Sequence, residues 1–159
     1  MELTGSFIVN NNKQFNYGAF SNSSSITNAG ANISSSIPYT TVDVDDGVTY
    51  TNNSRIQFPN NGIYNIQFSA QLDNTVGADT VYIWIKKNGV NIPNTAGAIT
   101  AANNIKTIVA WNWVYSLLGS DYLEIAWQTT SGHAVISALP ASGNVPAIPS
   151  IIVTVTQVA

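Results

Sequence analysis

The chain has 159 residues, 45% hydrophobic and only 8% charged, with a net charge of −3 and no cysteine. The length suits one domain with a sizeable core, while the charged fraction lies far below the roughly 25% usual in soluble proteins. The composition excludes disorder, a membrane-spanning helix, a basic footprint for nucleic acid or an anionic membrane surface, and any disulfide or thiol chemistry.

Residues 1–13 hold an apolar patch, Phe7-Ile8-Val9, followed by Asn10-Asn11-Asn12-Lys13. They read either as a frayed terminus or edge strand, or as an arm reaching onto a neighbour. No basic segment followed by an apolar one marks a secretory signal, so the expectation is a product made in the cytoplasm. Phe15 to Phe20 alternates as a strand. Ser21 to Ser36 is rich in Ser, Asn, Ala and Gly, but Ile26 and Ile33 argue for an ordered loop with a short strand. Ile37 to Val42 is extended by β-branching and by Pro38, and Asp43-Val44-Asp45-Asp46-Gly47 reads as a closing turn. Val48–Thr51 and Arg55–Phe58 form a hairpin around Asn52-Asn53.

Arg55 to Leu72 is the stretch around which the chain is organised. Pro59-Asn60-Asn61-Gly62 has turn chemistry. After it, Tyr64, Ile66, Phe68, Ala70 and Leu72 alternate with Asn65, Gln67, Ser69 and Gln71, the period of two that marks a strand with one dry face and one polar face. Val81 to Lys87 repeats the pattern, with Val81, Ile83 and Ile85 opposed by Tyr82 and Trp84, and ends at the hairpin signal Asn88-Gly89. Residues 90–105 read as a loop with a short strand near Ile99. Thr107 to Leu117 carries Trp111, Trp113 and Tyr115 on one face; Leu118 to Asp121 turns the chain into Tyr122–Gln128, where Leu123, Ile125 and Trp127 share a face. A short strand over Ala134–Leu139, a Pro/Gly/Ala loop over Pro140–Pro149 and a last strand over Ile151–Val158, apolar on nearly both faces, complete the chain. The expected fold is all-β, an antiparallel jelly-roll sandwich of about ten strands spanning residues 14–159, with no helical period, internal repeat or second domain.

Low charge and a last strand with two apolar faces both point to assembly. One face is covered by the chain's own core, and the other needs a second cover, most economically another subunit. The interface candidates are Trp111, Trp113 or Tyr115 on one strand, and Ile152, Thr154 and Thr156, or their alternates, on the last.

The same residues carry a resemblance to C1q and tumour-necrosis-factor-like domains. That family has an aromatic, five intervening residues, then Gly-x-Tyr-x-aromatic-x-aromatic; Ile56, Gly62, Tyr64, Ile66 and Phe68 fall at these positions, with Ile at two of the aromatic places. Lys86–Val90 is similar to the family's basic-Asn-Gly hairpin. Leu117 to Asp121 is similar to its leucine, gap, Gly-Asp segment, with Ser120 inserted. The Asn/Ser/Thr-rich, cysteine-free character and the ending PAIPSIIVTVTQV resemble C1q-like proteins of tailed bacteriophages. The resemblance implies a ten-stranded jelly roll and a compact homotrimer whose inner sheets meet near the three-fold axis.

Little in the sequence suggests catalysis. His133 is the sole histidine and sits at an expected loop tip, with no serine in a strand-turn-helix elbow. Glu124 and Glu2 are the only glutamates, a poor basis for paired carboxylates. Asp43, Asp45 and Asp46 are the weak candidates for a calcium site; solvated charges on a turn are the favoured reading, and neither metal nor cofactor is expected. The expected function is a non-enzymatic virion protein, a trimer on the capsid surface acting as a decoration or cement protein. Its partners would be the major capsid protein or another virion protein. A head- or tail-fibre tip binding host glycans or a receptor, with Tyr82 and Trp84 stacking on sugars, is the second reading. A soluble C1q-like receptor ligand is a third.

Overall fold

A computed structural model describes residues 15–159, so the arm or edge strand expected over residues 1–13 lies outside the described residues. The described residues contain strands and turns but no helix. Fourteen strands occur: β1 (Tyr17–Asn22), β2 (Ile26–Thr27), β3 (Ser35–Ser36), β4 (Thr41–Asp46), β5 (Thr49–Thr51), β6 (Arg55–Gln57), β7 (Gly62–Asp73), β8 (Asp79–Lys87), β9 (Val90–Asn91), β10 (Gly97–Ala101), β11 (Thr107–Leu117), β12 (Tyr122–Thr129), β13 (Val135–Ile136) and β14 (Ile151–Gln157). Four of them are two-residue pairings, and the remaining ten are the strands of a jelly roll.

All pairings are antiparallel. In the first sheet β4, β1, β14, β7 and β11 lie side by side. β11 runs along one edge of β7 from Gly62 to Leu72; β14 and then β13 share the other edge. The second sheet runs β10-β8-β12-β6-β5, with β3 pairing β12 beyond β6 and β9 pairing β8. The chain passes from one sheet to the other around Pro38. Ile37 N–H donates to the Ile125 carbonyl in the second sheet (2.8 Å), and Thr40 N–H donates to the Ser21 carbonyl in the first (2.9 Å).

The period of two decides what is buried. Tyr64, Ile66, Phe68, Ala70 and Leu72 of β7 face Val81, Ile83 and Ile85 of β8 and Leu123, Ile125 and Trp127 of β12 across the core. Ile151, Val153 and Val155 line the same interior. Phe68 stacks on Trp113 (ring centroids 5.3 Å apart) and meets Trp111 edge-on at 4.8 Å, geometries that add to plain burial. Tyr39 is buried in the core beside Phe20 and Tyr50, and burial, with Glu124 nearby, pushes its hydroxyl above the ordinary tyrosine range.

Turns follow their residues. Asn52, Asn53, Asn88 and Gly89 all take the left-handed backbone that the two hairpins require. Gly62, where β7 begins, is small for a different reason: a Cβ there would lie 2.6 Å from the Gln157 amide nitrogen and 2.7 Å from the Ala159 carbonyl. One segment departs from the sequence expectation. Asp43 to Asp46 is strand β4 rather than a turn, because it pairs with β1 through a bulge at Ala19/Phe20; only Gly47 turns, at φ 83°.

Phe68→Ala removes the ring that both Trp111 and Trp113 pack on, and should cost about 3–5 kcal/mol. Val90→Ala, at an exposed strand end, should stay within about 0.5 kcal/mol. Thermal or urea unfolding of the two variants checks this contrast.

Candidate functional site

The groups able to do chemistry are dispersed or committed to holding loops. The His133 side chain is exposed, and among the described residues no hydrogen bond joins its imidazole to a serine or a carboxylate. Asp43, Asp45 and Asp46 are spaced along β4, with Asp43 accepting from the Ser21 hydroxyl at 3.0 Å. Among the described residues no group of three or more His, Cys, Asp or Glu side chains is arranged to hold a metal. Glu124 is buried, accepts from Ser54 Oγ at 3.0 Å and lies 4.0 Å from Arg55 Nε.

Two buried aspartates work as clamps. Asp79, at the start of β8, accepts from the Thr130 hydroxyl and from the backbone N–H groups of Ser131, His133 and Ala134, all within 2.8–3.0 Å. Burial alone would raise its carboxyl; the four hydrogen bonds outweigh burial and hold it far below the ordinary 3.8. Asp121 accepts from Leu118 N–H (3.0 Å) and Asn88 Nδ2 (2.7 Å), with Lys87 Nζ at 3.6 Å. The Leu118 bond leads the set that holds its carboxyl low against burial. These clamps fix the loop after β12 and the turn before it. No local pattern marks the first, because the partners of Asp79 lie some fifty residues on.

The surface that stands out is the outward face of the first sheet. Register places Val44, Ala19, Thr154, Gln67 and Asn112 in one row across five strands. The next rows hold Thr41, Ser21, Ile152, Ser69 and Ala110, then Asp46, Tyr17, Thr156, Asn65 and Val114. On β14, on β11 and on β7 from Ile63 to Gln71, no outward position carries Asp, Glu, Lys or Arg. Asp73, paired with Lys106 at 2.7 Å, marks the end of this uncharged field. Large apolar side chains lie open on it: Ile108 is 72% exposed, Val114 58% and Ile152 41%. Small residues at its centre, Ser69 and Ala110 among them, leave a shallow depression of about 380 Å³.

This geometry sorts the interface candidates. Ile152, Thr154 and Thr156 are on the outward face and exposed. Trp111, Trp113 and Tyr115 are on the core side of β11, which corrects the choice of face made from the sequence. They share parity with buried Val109 and Leu117; Trp113 is buried and donates its indole N–H to the Thr95 carbonyl at 3.0 Å, while Trp111 and Tyr115 are half-buried against the core. Spacing identified two faces of β11 but not which one turned in. Its outward face is Ile108, Ala110, Asn112, Val114 and Ser116.

No established family model matches the sequence, and no curated protein is significantly similar to it. Solved structures are similar in fold. Murine APRIL at pH 8.5 superposes with a TM-score of 0.60 at 7% identity, over 91% of this chain and 100% of that one. The Eiger TNF of S. frugiperda gives 0.52 at 10% identity, over 91% and 93%. The fold is a TNF-like jelly roll. Identities this low establish the TNF-like architecture alone.

Within this TNF-like sandwich, Asp79→Asn should destabilise by about 2–4 kcal/mol at neutral pH, since a carboxamide cannot accept all four bonds without turning its own donor on an N–H. The sign with pH follows from the lowered carboxyl. Its stabilisation is complete above the unfolded value near 3.8 and is lost as pH falls toward the folded one. The stability gap between wild type and Asp79→Asn should therefore narrow below pH 3.8, as measured by urea unfolding across the acid range.

Proposed function

We propose that the chain is a non-enzymatic structural protein acting as a homotrimer, seated on a bacteriophage capsid as a decoration or cement protein. The observation that carries the trimer is the uncharged outward face of β14, β7 and β11 in the first sheet, with its exposed Ile108, Val114 and Ile152. A sheet face in water ordinarily carries charges that keep it from associating. Here Asn, Gln, Ser and Thr surround apolar side chains, a composition suited to close packing against another polypeptide. Three copies closing around an axis cover every such face and leave none to propagate into a filament. The C1q-like resemblance of the sequence implies the same arrangement.

Burial supplies the driving force. At about 25 cal/mol per Å² of apolar surface, an interface of ordinary size, about 800 Å² per partner, outweighs the cost of association when its centre is apolar and well packed. The clamped aspartates and the scattered polar groups leave the protein a scaffold rather than a catalyst. Placement on a virion rests on the likeness of the Asn/Ser/Thr-rich chain and its last segment to phage C1q-like proteins. In that role the trimer's partner is the major capsid protein or another virion protein, and the site of action is the capsid surface.

Sedimentation of the wild type at micromolar concentration should give a trimer, and Val114→Glu or Ile152→Lys should shift it to monomer with an unchanged circular dichroism spectrum. Wild-type protein sedimenting as a monomer would overturn the trimer. For the capsid role, purified capsids carrying the protein should resist heat or chaotrope better than capsids lacking it; equal resistance, with no protein on the particles, would overturn that placement.

A further inference from the structure

We infer that the outer face of the second sheet carries a binding cleft for a neutral saccharide. The cleft, about 430 Å³, lies on the side of the sandwich away from the uncharged face and does not depend on the trimer. Tyr82 and Trp84 occupy alternate outward positions of β8, so both rings stand on one surface about 7 Å apart along the strand. Beside Tyr82 in register is Ala98, a short exposed side chain that leaves that flank of the ring open; Ala126, opposite Trp84, is fully buried. The remaining wall is Asn91, Ile92, Pro93, Asn94, Ala96 and Gln128.

The chemistry of this lining selects the ligand class. A pyranose presents a patch of C–H groups that packs on an aromatic face and a rim of hydroxyls that both donate and accept. The cleft offers two rings and three carboxamides, each able to do both. None of its lining residues is charged. One charge stands at its edge, the Lys86 ammonium, 5.9 Å from the Trp84 ring centre. A cationic ligand therefore finds no countercharge in the lining, and a neutral one avoids the cost of desolvating an unpaired ion.

The cleft is also fixed in advance. Trp84 Nε1 donates to Asn91 Oδ1 at 2.8 Å, which holds the indole and leaves the Asn91 amide nitrogen without a partner among the described residues. The side chains of Asn94 and Gln128 and the Tyr82 hydroxyl likewise make no hydrogen bond among the described residues. Asn94 follows Pro93 and adopts a left-handed backbone (φ 62°), so the loop that carries it is a tight turn rather than a loose one. Ordered rings with uncommitted donors and acceptors around them reduce the ordering cost of binding.

The test is calorimetric titration of the wild-type protein with neutral gluco-, manno- and galacto-configured pentasaccharides, alongside retention on an immobilised neutral bacterial O-polysaccharide. Binding to at least one of these is expected. Trp84→Ala and, separately, the milder Tyr82→Ala should each weaken it about tenfold or more, with unchanged melting and sedimentation. Binding of the free oligosaccharides indicates a small-sugar ligand, and retention on the polysaccharide alone indicates a surface glycan; either supports the cleft. No binding to any neutral probe, binding only to acidic glycans, or wild-type affinity in both folded variants would overturn it. Because sedimentation is read on the same samples, failure of the cleft is distinguishable from failure of the trimer.

Discussion

The pairing of β7 along both of its edges is the constraint on which the rest of the structure depends. A strand that is hydrogen-bonded on each side cannot slip by one residue without turning Tyr64, Ile66, Phe68 and Leu72 into water and Asn65, Gln67 and Ser69 into the core. That penalty fixes the register of β11 and β14 at once, and through β14 the register of β1 and β4. Both faces of the first sheet are therefore settled by a single alternating segment. What is buried inside is a consequence of β7, and so is what is offered outside.

The two faces differ in kind. The inward one is an ordinary apolar core closed by the second sheet, with Phe68, Trp111 and Trp113 in mutual contact. The outward one, over β14, β7 and β11, has the apolar content of an interface and lacks the charges of a solvated surface. The few charges of the described chain are used at the β4 edge of that sheet, at the Asp79 and Asp121 clamps, and around Lys86 and Glu124. A chain this poor in charge concentrates its solubility problem on one sheet, and association of that sheet is the direct way to remove it.

Much of the fold was legible in the sequence because period-two patterns are local. β7, β8, β11, β12 and β14 all fall where their alternation places them, and Asn52-Asn53 and Asn88-Gly89 turn as their residue types require. Legibility failed where the deciding partner was distant. Asp43 to Asp46 has turn composition but is drawn into a strand by β1, and Ile37 and Tyr39 are buried in the crossing between sheets instead of pairing as a regular strand. On β11 both faces are partly apolar, so the side taken by Trp111, Trp113 and Tyr115 depended on Phe68 across the sheet. The candidate surface was half legible: the two faces of β14 could be read from its own pattern, though not which of them turned outward, whereas the absence of charge across three adjacent strands emerges only once their order is known.

Whether sister copies cover the outward face of β14, β7 and β11 can be read residue by residue by hydroxyl-radical footprinting. Ile108, Val114 and Ile152 are open in the single chain, as are Val76 and Val90 on loops and edges elsewhere, which serve as internal references. Strong protection of the first three relative to the two references is expected in the wild-type protein. Oxidation of Ile108, Val114 and Ile152 at rates matching their exposure in a single chain would contradict it.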